Sequence, residues 1–258
     1  MNARQDRILK LLLERGRLSV EELAEHGGVS GMTVRRDLQV LEADGLLTRT
    51  HGGCVLQSGQ VREQPFQEKA QQNRAAKAAI ARAVAARLAN GQSVYLDTGT
   101  TCAAVARLLP GHRHGMHVFS NNLPAVLDLF GAPDITVTVP GGVLGRRSPD
   151  LCGDAGIGVV NRVCFDVAIV GADALDPASG EYYAADLATA ALSAAAQQRA
   201  DRTFVCIDRT KFGRRAMAVA GRLGPGSVLF TDADLPATRI RQWKREDIEV
   251  VTLKEEQE

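Results

Sequence analysis

Apolar positions along the chain change period near residue 56. Ile8, Leu9, Leu12 and Leu13 recur at helical spacing and stop at Gly16. Ser19 followed by Glu22 is a capping box, opening a second helix that turns Val20, Leu23 and Ala24 inward. After the Gly27-Gly28 turn, Ser30 is the N-cap of a third helix running to about Asp44, with Gly45 as its stop. Residues 46–50 and 54–56 read as two short strands around the turn His51-Gly52-Gly53. Residues 1–56 therefore predict three helices and a hairpin. Residues 57–65 are polar, hold Ser58, Gly59 and Pro65, and show no period, which marks a linker.

From residue 66 to 90 the pattern predicts one long Ala-rich helix, stopped by Gly91. Strand-like runs then alternate with helical stretches, at residues 94–96, 118–119, 135–139, 167–170, 204–207, 228–230 and 250–253. Alternation of this kind predicts a largely parallel sheet with helices on both faces. The organisation read from the sequence is an N-terminal module over 1–56, a linker over 57–65 and an α/β domain over 66–258.

Composition narrows the picture. Apolar residues make up 45% of the 258 and charged residues 24%, as in ordinary globular chains. Lys+Arg 31 against Asp+Glu 30 leaves no global polycation, so any nucleic-acid contact must come from a local patch. The five cysteines contain no C-x-x-C pair, which argues against a disulfide framework and a zinc site. No run of 18 residues is apolar and charge-free enough to span a bilayer, and the first residues do not lead into a secretory core. A cytoplasmic protein with no membrane partner, metal or cofactor is expected.

The third helix carries the first candidate chemistry. On a helical wheel Val34, Leu38 and Leu41 point inward, Met32 and Arg36 point away, and Thr33 and Arg35 flank them. Arg can grip guanine O6/N7 in a major groove or clamp phosphate. Arg49, Thr50 and His51 at the hairpin tip could follow the adjacent backbone or minor groove. Residues 1–56 are net neutral, and Arg35 could instead pair with Asp37 or Glu42. The pattern alone fits a DNA reader or a protein-contact module.

The second set lies after the strands, where open parallel sheets bind ligands. Asp97-Thr98-Gly99-Thr100-Thr101, Ser120-Asn121, Gly141-Gly142, Gly171-Ala172-Asp173 and Asp208-Arg209-Thr210-Lys211 follow five predicted strands. Gly99 allows close approach, Thr100 and Thr101 offer hydroxyls and amides at a helix start, and Lys211 can add a charge to phosphate. Asp97, Asp173 and Asn121 can bond sugar hydroxyls. Each piece alone could be only a turn or a surface residue. Their coincidence favours a cleft for a phosphorylated polyol. Arg146-Arg147 and Arg214-Arg215 read as solvated faces. Cys102 reads as a small buried residue, and His112 and His114 as parts of a polar loop.

The run Val29-Ser30-Gly31-Met32-Thr33-Val34-Arg35-Arg36-Asp37-Leu38, with Gly45-Leu46-Leu47 and Arg49-Thr50-His51-Gly52-Gly53, resembles the signature of DeoR-family bacterial transcription regulators. The strand-end segments and Lys211-Phe212-Gly213 match the same family, so the likeness spans about residues 3 to 253. It implies a winged helix-turn-helix whose recognition helix is 30–44, with Thr33, Arg35 and Arg36 at the family's DNA-facing positions and Asp37 in a structural role; together with the wheel and the hairpin this puts Ser30, Met32, Thr33, Arg35, Arg36, Arg49 and His51 at the DNA. It also implies a sensor domain related to ribose-5-phosphate isomerase and CoA-transferase folds. The effector would be a phosphorylated sugar or polyol that releases double-stranded operator DNA, held by Asp97, Gly99, Thr100, Thr101, Ser120, Asn121, Gly141, Gly142, Asp173 and Lys211. The protein would be a repressor of carbohydrate metabolism genes and not an enzyme, acting as a homo-oligomer, a dimer or tetramer, on repeated half-sites.

Two positions depart from the family pattern. Ser193 stands where a Lys is common, and Arg209 stands where Ser is common, so one positive charge is lost and another gained nearby. A different phosphate ester, or an effector that is no phosphorylated sugar, stays open. The competing readings are a sugar-phosphate isomerase-like enzyme, with Asp97 or Asp173 as base, and a protein adaptor using the wing without DNA.

Overall fold

Capping groups set the first helices. In the computed structural model, α1 (Ala3–Arg15) begins at Asn2, whose side chain accepts from the Arg4 and Gln5 amides, and ends where Gly16 takes φ +73°. β1 (Arg17–Ser19) runs into α2 (Val20–Gly27), which the Ser19–Glu22 capping box opens. α3 (Gly31–Ala43) follows Ser30, whose Oγ accepts from the Thr33 amide at 3.3 Å. β2 (Leu47–Thr50) and β3 (Gly53–Leu56) form the hairpin, and β1 adds to it as a third antiparallel strand. β1 escapes the sequence reading because three residues with one buried leucine carry no period. Ile8, Leu12, Leu18, Leu23, Val34, Leu38, Leu41, Leu47 and Cys54 make one core for this head.

The structure describes residues 2–43, 46–56, 60–61 and 64–253. Asp44 and Gly45 as helix end and stop, and Ser58 and Gly59 of the expected linker, lie outside the described residues. Within the expected linker, β4 (Gln60–Val61) is a short strand. The expected single helix from 66 to 90 is two, α4 (Phe66–Gln71) and α5 (Arg74–Arg87). The break is tertiary in origin. Asn73 takes φ +50° and donates through Nδ2 to Asp208 Oδ1 and Thr210 Oγ1, both at 3.2 Å. Lys77 Nζ donates to the Lys69 and Gln72 carbonyls, satisfying the end of α4.

The remaining elements alternate. They are β5 (Ser93–Leu96), α6 (Thr100–Ala106), β6 (Met116–Ser120), α7 (Leu123–Leu129), β7 (Ile135–Thr138), β8 (Val143–Leu144), β9 (Leu151–Cys152) and α8 (Asp154–Val160). After them come β10 (Phe165–Gly171), β11 (Ala174–Leu175), β12 (Glu181–Ala184), α9 (Leu187–Gln197) and β13 (Ala200–Cys206). The chain closes with β14 (Arg215–Ala216), β15 (Ala218–Arg222), β16 (Ser227–Thr231), α10 (Ala237–Arg245) and β17 (Glu249–Thr252). All seven strand runs read from the sequence join one sheet, in the order β17-β16-β13-β10-β5-β6-β7, with every pairing parallel. Alternate residues of β10 face opposite cores. Val167 and Ile169 meet α5, α6 and α7, whereas Ala168 and Val170 meet α8, α9 and Trp243 of α10. β11, β12 and β15 form a small antiparallel sheet, and β14 pairs with β4.

The head touches the α/β domain through α1. Lys10 Nζ lies 3.1 Å from Asp234 Oδ1, and Arg209 Nη1 lies 3.9 Å from Asp6 Oδ1. Asp6 and Lys10 are one helical turn apart, so both pairs lie on one side of α1.

Candidate nucleic-acid interface and effector cleft

Val34, Leu38 and Leu41 anchor α3 in the head core, at no more than 1% exposure each. The opposite side is therefore turned to solvent. Met32 is 78% exposed, Arg35 and Arg36 are exposed, and Thr33 is half-buried with Oγ1 3.0 Å from Ser30 Oγ. Asp37 is buried and accepts from Arg4 Nε, Arg4 Nη2 and Gln5 Nε2. Arg4 holds its carboxyl below the usual range. Asp37 is thus the structural residue expected, and it is unavailable to Arg35. Glu42 is likewise engaged, accepting from the Arg49 amide at 2.9 Å and lying 3.9 Å from Arg49 Nη1.

The wing explains His51-Gly52-Gly53. Gly52 turns the chain at φ +84°. At Gly53 a Cβ would stand 2.2 Å from the Leu18 carbonyl oxygen, so only glycine lets β1 approach β3. His51 is exposed at the tip. Of the residues expected at the DNA, Ser30, Met32, Arg35, Arg36, Arg49 and His51 are exposed, and Thr33 is half-buried.

The second site is a polar cleft over three adjacent strands. The segments after β5, β10 and β13 bring Asp97, Gly99, Thr100, Thr101, Asp173, Asp208 and Lys211 to its wall. Ser120, Asn121, Gly141 and Gly142 do not line it. Ser120 Oγ donates to the Leu96 carbonyl at 2.7 Å. Asn121 exchanges two hydrogen bonds with the Gly141 backbone, each 3.1 Å. A Cβ on Gly142 would stand 2.4 Å from the Cys152 carbonyl oxygen, so this glycine serves a close backbone approach. These four residues hold the loops of the outer strands β6 and β7.

Several cleft residues had no signal in the sequence. Lys69, Asn73 and Lys77 enter from the α4–α5 arm, Ser148 and Asp150 from the β8–β9 loop, and Asp186 and Thr189 from the start of α9. Lys69 Nζ pairs with Asp173 Oδ1 at 3.2 Å, while Asp173 Oδ2 accepts from the Ala185 amide at 2.9 Å. The lysines Lys69 and Lys211 draw the Asp173 carboxyl below its usual range against its burial. Burial lowers the Lys77 ammonium to about 8. Asp97 is 2% exposed, and burial raises its carboxyl to about 7, with Tyr95 Oη 3.4 Å away. Among the described residues the Lys211 side chain has no hydrogen bond or ion pair, which leaves its ammonium available to an anion; its amide donates to the Asp208 carbonyl at 3.1 Å.

The two departures resolve differently. Ser193 lines the cleft and is buried. Arg209 does not replace the missing charge there. Its amide donates to Asp232 Oδ1 at 2.7 Å, its guanidinium pairs with Asp232, and it reaches Asp6 of the head. Arg214, expected on a solvated face, is half-buried, with Nη1 donating to the Thr210 carbonyl at 3.4 Å and Nε unpaired. Arg215 is exposed and pairs with Asp176 at 2.9 Å. Cys102 is buried, with its thiol pushed up by desolvation, so it offers no thiolate nucleophile. His114 remains in a polar loop beside Asp134.

An exposed Arg-bearing helix and wing, joined to a parallel α/β domain with a polar cleft, define a ligand-sensing DNA-binding regulator. Residues 4–60 match the DeoR-like helix-turn-helix domain, and residues 72–233 match the DeoR C terminal sensor domain. The chain is 32% identical over 235 residues to the glycerol-3-phosphate regulon repressor of Escherichia coli (strain K12), covering 91% of this chain and 92% of that one. It is 35% identical over 246 residues to the HTH-type transcriptional regulator GlpR of Haloferax volcanii, covering 95% and 93%. It is 32% identical over 257 residues to the HTH-type transcriptional repressor CsqR of Escherichia coli (strain K12), covering 99% and 97%. The chain belongs to the DeoR family and is a DNA-binding transcriptional regulator. Among solved structures it is similar to a D-ribose-5-phosphate isomerase in complex with phospho-erythronic acid. That likeness has a TM-score of 0.40 and 20% identity, over 53% of this chain and 52% of that one.

Proposed function

We propose that the protein represses carbohydrate metabolism genes in the cytoplasm and that a phosphorylated sugar or polyol in the cleft releases its operator. The observation that carries this reading is the cleft's charge. Lys69, Lys77 and Lys211 face five carboxylates, Asp97, Asp150, Asp173, Asp186 and Asp208. Ammonium groups suit a phosphate, and carboxylates suit ring or chain hydroxyls. Asp97, Gly99, Thr100, Thr101, Asp173 and Lys211 form the effector wall in this reading. Ser30, Met32, Thr33, Arg35, Arg36, Arg49 and His51 form the DNA surface, and two or four copies read repeated half-sites.

The coupling between them runs through the turn after β13. Asp208 and Lys211 line the cleft, and Arg209 between them faces Asp232 and Asp6 of α1. α1 in turn holds α3 through Arg4, Gln5 and Asp37. An effector that binds one arrangement of this turn better than another biases the heads by that difference in affinity, and by no more. In this reading the cleft binds and does not catalyse: Asp173, a candidate base, is ion-paired by Lys69.

The test is operator release. Fluorescence anisotropy on the chain's own upstream DNA, with sugar and polyol phosphates beside their unphosphorylated parents, should show release by a phosphate ester and not by its parent. Equal binding to random DNA would refute the regulator's specificity. Turnover of ribose 5-phosphate would refute the non-enzymatic reading.

A further inference from the structure

Asp150 is the cleft residue whose chemistry is incomplete. It ends the loop between β8 and β9, and its carbonyl accepts from the Gly145 amide at 2.8 Å. The neighbouring Pro149 carbonyl accepts from the Leu123 amide at 3.1 Å, so the loop is tied to the start of α7. The residue is 5% exposed and lines the cleft. Ser148 Oγ donates to its Oδ2. Its Oδ1 is buried and has no hydrogen-bond partner. Burial pushes its carboxyl above the usual range, while Ser148, Lys69 and the Gly99 amide favour the charged form.

A buried carboxylate oxygen without a donor is costly, and native structures keep few of them without a reason. The donor missing here must come from outside the fold. We propose that Asp150 reads a hydroxyl group of the effector, accepting its proton at Oδ1, and so selects polyhydroxylated phosphate esters over their deoxy analogues and over phosphate alone. This rests on the effector reading of the cleft given above. In it, the lysines take the phosphate and Asp150 supplies discrimination at the other end of the ligand. A site built to bond a hydroxyl leaves its own acceptor unmet when the hydroxyl is absent, which is the source of selectivity.

The test is isothermal titration calorimetry on the full chain. The probes are ribose 5-phosphate, glucose 6-phosphate and glycerol 3-phosphate, each beside an analogue lacking one hydroxyl, and inorganic phosphate. For the ester that binds, the wild-type protein should lose about 10- to 100-fold in affinity when the read hydroxyl is removed. Asp150→Ala should bind ester and deoxy analogue alike, at the wild-type level for the deoxy analogue, with inorganic phosphate unchanged. Its thermal transition beside that of wild type checks that it is folded. Asp150→Asn, the same size and with one acceptor oxygen, should keep a preference for the hydroxyl that the Ala variant loses; equal loss in both would overturn the inference. An Ala variant that keeps the wild-type preference for the hydroxyl would overturn the inference and leave the effector reading standing. Absence of binding by every ester to the wild-type protein would overturn that reading, and the inference with it.

Discussion

Replacing Asp97 by Asn should stabilise the unliganded sensor domain at alkaline pH. Burial raises the Asp97 carboxyl to about 7 in the folded chain, against ~3.9 when unfolded. The folded state therefore holds a proton that the unfolded state has released. The stability this provides is complete below about pH 4 and is lost as pH rises through 7. Between pH 5 and pH 8 the wild-type protein should lose roughly 2–3 kcal/mol from this group, at ~1.4 kcal/mol per pH unit up to 7. Asn cannot ionise, so the variant keeps that stability. Asp150 also titrates upward nearby and its charge helps raise Asp97, so the difference between the proteins reports the pair and not Asp97 alone. The assay is urea unfolding at both pH values, followed by the emission of Trp243. That residue is the chain's one tryptophan and lies 2% exposed in the core that also holds Tyr95. The signal thus reports the sensor domain and not the head, which matters in a chain with separate cores. A stability gap between variant and wild type that is the same at pH 5 and pH 8 would refute the reasoning. The same variant should bind effector more weakly, since in the proposed site the carboxylate accepts from it.

Four further outcomes follow from the head and its contacts. Gly53→Ala should displace β1 from the wing, because its Cβ would lie 2.2 Å from the Leu18 carbonyl oxygen; loss of operator binding with the sensor's thermal transition intact would show it. Asp37→Ala should destabilise the head by ~1–3 kcal/mol by removing the acceptor of Arg4 and Gln5. Because Arg4 lowers the Asp37 carboxyl, that contribution is present above about pH 4 and lost at lower pH, measurable by circular dichroism across an acid titration. Arg36→Ala should cost ~1–3 kcal/mol of operator affinity, confined to one base position if it reads a base and uniform over sequences if it grips phosphate. Asp6→Asn combined with Lys10→Ala should change stability by less than ~1 kcal/mol, as half-exposed ion pairs do, yet weaken the effector's control of DNA binding; an unaltered effector response in anisotropy would remove α1 from the coupling.

The seven strands were legible because short apolar and β-branched runs, such as 94–96, 135–139 and 167–170, alternate with helical stretches between polar or glycine-bearing breaks. The inward side of α3 was legible from the 3.6-residue period of Val34, Leu38 and Leu41. Elements of two or three residues, such as β1, β4 and β14, carry no period and appear only through their partners. The break at Asn73 is invisible for a related reason. Its cause is a pair of hydrogen bonds to Asp208 and Thr210, more than a hundred positions along the chain. The cleft shows the limit most clearly. Strand-end logic gathers every loop at the carboxyl edge of the sheet, but it does not give the order of the strands. With β13, β10 and β5 adjacent, the loops bearing Asp208, Asp173 and Asp97 meet. With β6 and β7 to one side, Ser120, Asn121, Gly141 and Gly142 serve their own loops instead. The same order brings the arm between head and sensor over the three central strands, so Lys69 and Lys77 supply two of the cleft's three ammonium groups. Arg209 adds no charge beside Ser193, because the fold commits it to Asp232 and Asp6.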